Sequence, residues 1–119
     1  MKVHIIGGGN LGVSIALGLS KFSPENQVTV TRRNTSSILY LEKLGATVST
    51  NNIHQIQEAD VIILTIKPYQ VDTVLAEILP VISNKIIASA VSGLSIENLQ
   101  NKIGAANSAI RIMPNIAAQ

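Results

Sequence analysis

Near its start the chain carries three glycines spaced for chemistry: Gly7, Gly9 and Gly12, in Gly7-Gly8-Gly9-Asn10-Leu11-Gly12. An apolar strand pattern, Val3-His4-Ile5-Ile6, precedes them. A helical pattern follows from about residue 11 to 22, and then a second strand, Val28-Thr29-Val30-Thr31. Strand, G-x-G-x-x-G turn, helix, strand is the unit that binds a dinucleotide pyrophosphate. Gly7 permits the tight turn out of the strand. Gly9 lets the backbone approach the pyrophosphate, and Gly12 lets the helix pack closely on the sheet. The N–H groups of Asn10, Leu11 and Gly12 then face the phosphates, where the helix dipole favours negative charge.

The end of the second strand bears on which dinucleotide is bound. An NAD site usually has an Asp or Glu there for the ribose 2′-hydroxyl. This chain has Thr31-Arg32-Arg33-Asn34. Two guanidinium groups attract a 2′-phosphate, Thr31 and Asn34 can add hydrogen bonds, and a planar guanidinium can also lie over the adenine. NADP, as NADPH, is therefore expected ahead of NAD. The bland alternative is a pair of arginines solvating a surface turn.

The elements that position these residues alternate to the end of the chain. A second helix is expected from Ser36 or Ser37 to Leu44, with Gly45 as its left-handed stop. A short strand 46–48 and a short helix 53–58 follow. Residues 60–66 form a continuous apolar run, Asp60-Val61-Ile62-Ile63-Leu64-Thr65-Ile66, of the kind buried in a parallel sheet. Pro68 opens a helix, and Pro80 stops or kinks it. A strand 85–90, a helix capped by Ser95 and stopped by Gly104, and a last strand 109–113 complete the pattern. In the first helix Leu11, Ile15, Leu19 and Phe22 are expected on one face. The reading is a single α/β domain: a doubly wound, mostly parallel sheet with helices on both faces, Rossmann-like in type. Ligands of such sheets lie beyond the carboxyl ends of the strands.

Composition narrows the function. Hydrophobic residues make up 46% and aromatics 3%, so the core must be aliphatic. Net charge is only +2 and no basic run exceeds Arg32-Arg33, which argues against nucleic-acid binding. Without cysteine there is no disulfide framework and no thiolate metal site. His4 and His54 have no ligand spacing; His4 reads as a strand residue and His54 as a surface one. No apolar run is long enough to span a bilayer, and nothing at the start reads as a signal peptide. A cytoplasmic protein is expected.

Five segments in order resemble pyrroline-5-carboxylate reductase. Ile5-Ile6-Gly7-Gly8-Gly9-Asn10-Leu11-Gly12 is similar to that family's start, and Thr31-Arg32-Arg33-Asn34 to its strand-two end. Ile66-Lys67-Pro68 is similar to its V-K-P, and Ser89-Ala90-Val91-Ser92-Gly93-Leu94-Ser95-Ile96 to its S-x-A-A-G-x-x-I. Arg111-Ile112-Met113-Pro114-Asn115 matches R-x-M-P-N, the most specific of the five. The resemblance implies hydride transfer from NADPH to the C=N carbon of 1-pyrroline-5-carboxylate, giving L-proline in proline biosynthesis. It implies that Asn52 meets the adenosine side of the cofactor and that Ile66, Lys67 and Pro68 line the ribose. It places Ala90, Gly93, Met113, Pro114 and Asn115 near the nicotinamide. Without it, Lys67 reads as a strand-end charge, Pro68 as a helix starter, Asn52 as a turn residue and Met113 as core. No residue stands out as a proton donor.

The chain departs from the family at Val91-Ser92, where two alanines are usual, and at Ile116-Ala117, where Thr-Pro is usual. It also stops at Gln119, whereas the family continues into a helical domain that makes the dimer and most of the substrate site. Residues 1–119 therefore read as the dinucleotide-binding domain alone, expected to bind cofactor without turnover. The full-length form is expected as a homo-oligomer and this stretch as a monomer. The competing readings are a deazaflavin-dependent NADP reductase, a β-hydroxyacid dehydrogenase, and a non-catalytic NADP-binding module.

Overall fold

The computed structural model describes residues 1–7, 9–23 and 25–112. Six strands form one sheet: β1 (Lys2–Ile6), β2 (Gln27–Thr31), β3 (Thr47–Ser49), β4 (Val61–Leu64), β5 (Ile86–Ser89) and β6 (Ser108–Arg111). Their order is β3-β2-β1-β4-β5-β6 and every pairing is parallel. β1 lies at the centre, with Ile5 opposite Val30 on one side and Ile63 on the other. The order reverses at β1 and β4, which is where an open α/β sheet forms its ligand crevice. The doubly wound parallel sheet read from the sequence is the observed one.

Alternation along the strands sends each set of side chains to one face. Val3, Ile5, Val28, Val30 and Ile63 pack with α1 (Asn10–Phe22) and with the 3₁₀ segment Ser36–Leu44. Ile6, Ile62, Leu64 and Ile87 pack with α2 (Val71–Ile78) and α3 (Ile96–Ile103). Two aliphatic cores, one per face, hold the layers.

The helix signals succeed where they are local. Ser95 caps α3, its side chain accepting from the Asn98 N–H at 3.1 Å, and Gly104 follows the last helical residue. Pro68 opens a 3₁₀ turn that runs into α2, and Pro80 sits in the 3₁₀ turn Leu79–Val81 that ends it. Gly45 takes the left-handed conformation, φ 95°.

The helix expected over residues 36–44 is present in 3₁₀ form, with Thr35 rather than a serine at its N-cap. Two other expectations need correction. Residues 53–58 give a turn and then the 3₁₀ segment Ile56–Glu58. There Asn51 takes the Ile53 N–H on its own side chain, 3.1 Å, and Gln55 lies at φ 58°, so no helix nucleates. Phe22 is 77% exposed, with the Lys21 ammonium 5.5 Å from its ring centre. The inward line of α1 is Gly12–Ala16, and at about 100° per residue Phe22 stands well round the helix from it.

Candidate functional site

The glycine turn leaves β1 at Gly7, whose φ of 99° is left-handed. A Cβ there would stand 2.8 Å from Ile66 Cγ2 and 2.9 Å from the Thr65 carbonyl oxygen. The Gly7 N–H donates to the Thr31 carbonyl at 2.8 Å, tying the turn to the end of β2. Gly12 is buried, and a Cβ on it would meet the Gly7 carbonyl oxygen at 2.7 Å and Thr65 Oγ1 at 2.8 Å. Gly9 differs: nothing lies within 4 Å of the space its Cβ would fill. It caps α1 without a side-chain bond, and the first turn of the helix holds no acid. The orphan N–H groups of that turn are thus left for an anion.

A cleft of about 740 Å³ runs across the carboxyl ends of the strands, within the roughly 300–1,000 Å³ usual for small-molecule sites. Gly7 and Gly9 line it with Arg32, Arg33, Asn34, Asn52, Ile66 and Lys67. Eight of the residues expected from sequence are therefore together. Three cations and one anion, Glu77, line the cleft, which gives it a positive bias suited to phosphate.

The other expected residues stand apart from that lining. Asn10 and Leu11 open α1, and Gly12, in the same turn, is buried against the Gly7 carbonyl and Thr65. Thr31 is wholly buried; its hydroxyl donates to Asn52 Oδ1 at 2.7 Å, so it reaches the cleft only through Asn52. Pro68 starts the turn in which the Lys67 N–H donates to Gln70 Oε1 at 2.9 Å. Ala90 and Gly93 lie after β5, one strand further along, with Gly93 at φ 75°. Met113, Pro114 and Asn115 lie outside the described residues.

Sequence reasoning missed the far wall. Gln70, Thr73, Val74 and Glu77 line the cleft from α2 and the turn before it. Their spacing of three, four and seven residues is the helical signal that could have found them. Thr65 reads from the sequence only as part of a strand. Its hydroxyl donates to the Gly7 carbonyl oxygen at 2.6 Å and lies 3.0 Å from that of Ile6. Among the described residues no His, Cys, Asp or Glu cluster could hold a metal, and no helix is long and apolar enough to cross a membrane.

Residues 2–93 match the protein-family profile described as NADP oxidoreductase, coenzyme F420-dependent. The chain belongs to that family. Within the family its sequence is similar to pyrroline-5-carboxylate reductase 1 of Dictyostelium discoideum, 39% identical over 98% of the chain and 22% of the relative. Its fold is similar to a pyrroline-5-carboxylate reductase from Coxiella burnetii, with TM-score 0.83, 30% identity, 95% of this chain and 43% of that one. It is also similar in fold to the Plasmodium falciparum pyrroline carboxylate reductase solved with NADP bound, with TM-score 0.81, 23% identity, and 97% and 42% coverage. The chain spans less than half the length of each of these proteins. The pyrroline-5-carboxylate reductase resemblance read from the motifs is thus met in the comparisons.

Proposed function

We propose that the chain is the NADP-binding part of a pyrroline-5-carboxylate reductase. The observation that supports it best is the pairing, in one cleft, of an open glycine turn with Arg32 and Arg33 where an NAD site would carry an acid. In this reading the space over Gly9 and the N-terminus of α1 take the pyrophosphate. Arg32 and Arg33 hold the 2′-phosphate with charge-assisted bonds, and Asn34 adds a polar contact. Asn52 meets the adenosine side, and Ile66, Lys67 and Pro68 meet the ribose. Ala90 and Gly93, with Met113 and Asn115, serve the nicotinamide end. Bound NADPH supplies the hydride for the C=N carbon of 1-pyrroline-5-carboxylate; the chain's own contribution is binding and orientation.

The substrate site and the contacts of a homo-oligomer belong, in this proposal, to a helical domain corresponding to the remaining length of the relatives. This chain alone is then a monomer, and the protein works in the cytoplasm. Proline formation with NADPH, measured for these 119 residues and for a version extended by that domain, tests it. Both should bind NADPH and only the longer should turn over. Turnover by the 119 residues would overturn the division of labour, and no nicotinamide fluorescence change on NADPH addition would overturn the cofactor assignment.

The family description favours a second reading, hydride exchange between NADP and a deazaflavin. F420 reduction by the extended protein, with no proline formed, would select it. Binding without either turnover would leave a non-catalytic NADP-binding module.

A further inference from the structure

His4 occupies the centre of β1, between Val3 and Ile5 in sequence and opposite Thr29 and Ile62 in the sheet. It is 1% exposed, and its buried Nδ1 has no hydrogen-bond partner among the described residues. An imidazole so placed gives up solvation for one bond: Nε2 lies 2.8 Å from the Asn52 carbonyl oxygen. A carbonyl only accepts, so Nε2 carries the hydrogen and donates, which fixes the tautomer. Asn52 is thereby held from two sides. His4 holds its backbone, and the Thr31 hydroxyl donates to its Oδ1 at 2.7 Å. With Oδ1 turned to the Thr31 hydroxyl, the side-chain NH₂ is the donor Asn52 can offer a ligand, and Asn52 lines the cleft. The surrounding turn is otherwise held by local bonds: Asn51 N–H to Ser49 Oγ, Ile53 N–H to Asn51 Oδ1 and His54 N–H to the Asn51 carbonyl oxygen.

We propose that His4 is a positioning residue of the nucleotide cleft: by holding the Asn52 carbonyl it aims the Asn52 amide to donate to the adenosine portion of NADPH. The proposal rests on the NADP reading above. The imidazole acts through Asn52, from beneath the cleft and on the sheet face opposite α1.

The test compares NADPH dissociation constants, by nicotinamide fluorescence, for the native chain, His4→Leu, His4→Gln, Asn52→Ala and the His4→Leu/Asn52→Ala double variant, with thermal midpoints alongside. His4→Leu should raise Kd about three- to tenfold, the worth of one hydrogen bond. His4→Gln, whose amide N–H reaches nearly as far as Nε2, should restore most of the affinity. Asn52→Ala should weaken binding at least as much, and adding His4→Leu to it should change Kd no further, because interacting residues are not additive. Should His4→Leu fail to fold, His4→Asn, with an amide too short to reach, replaces it. A His4→Leu variant that loses stability but keeps native Kd would overturn the proposal, as would a full His4→Leu effect persisting without the Asn52 side chain. A native chain that binds no NADPH would instead overturn the cofactor reading beneath it.

Discussion

Thr65 Oγ1 lies 2.8 Å from where a Cβ on Gly12 would stand. The same hydroxyl donates to the Gly7 carbonyl oxygen at 2.6 Å. One side chain at the end of β4 thus clasps both ends of the glycine turn. Gly12 is required by this contact between strand and helix, whereas Gly9 has open space where a Cβ would stand.

The two glycines should therefore separate in mutation. Gly12→Ala forces its methyl against backbone and should cost about 1–3 kcal/mol of stability, as overpacking does. Gly9 sits at φ −80° with room for a methyl. Gly9→Ala should keep the native thermal midpoint and weaken NADPH binding. Denaturant melts and fluorescence titrations of both variants check this; a destabilised Gly9→Ala with native affinity would reverse the assignment.

Arg32 decides the cofactor in the proposed reading. Arg32→Asp replaces an attractive charge by a repulsive one beside the 2′-phosphate. NADPH affinity should fall about ten- to hundredfold, the worth of a charge-assisted hydrogen bond, and NADH affinity by under about threefold. The NADPH loss should also shrink as salt screens the pair. Equal losses for the two nucleotides would place Arg32 outside 2′-phosphate recognition.

How much of this was legible in the sequence follows from the range of each interaction. The strands, the Ser95 cap, the Gly45 stop and the Pro68 start depend on residues within a few positions of one another, and all were readable. So was the sheet's parallel character, from the unbroken Val61–Leu64 run. The hold on Asn52 was not: Thr31 is 21 residues away and His4 is 48, and no local pattern announces either bond. Thr65 is 58 residues from the carbonyl it binds. Phe22 failed for another reason. Apolar spacing alone cannot tell which line of a helix faces the sheet when glycine and alanine make the close approach.

The Ser95 cap allows a plain stability test. Its side chain satisfies the Asn98 N–H at the start of α3, a helix of eight residues, too short to persist without tertiary support. Ser95→Ala should destabilise the protein by about 1 kcal/mol, and Ser95→Asp should retain most of the native stability while favouring the helix dipole. Thermal melts measure both.

His4 also sets a pH dependence. Burial holds its imidazole below the ordinary value of 6.5; the bond to the Asn52 carbonyl pulls the other way, and His54 adds a smaller lowering. Above 6.5 the residue is neutral in both folded and unfolded chains, and its contribution to stability is constant. As pH falls below 6.5 the unfolded chain takes up a proton that the folded chain still refuses. Stability should then drop by up to about 1.4 kcal/mol per pH unit, until pH reaches the depressed value of the folded state. Lys2 and Glu58, whose side chains are 44% and 56% exposed, pair with each other at 3.5 Å. His4→Gln carries no titrating group, so this component of the acid-side slope should vanish in it. Urea melts from neutral to mildly acidic pH compare the two chains; parallel curves would show that the buried imidazole is not the group that titrates.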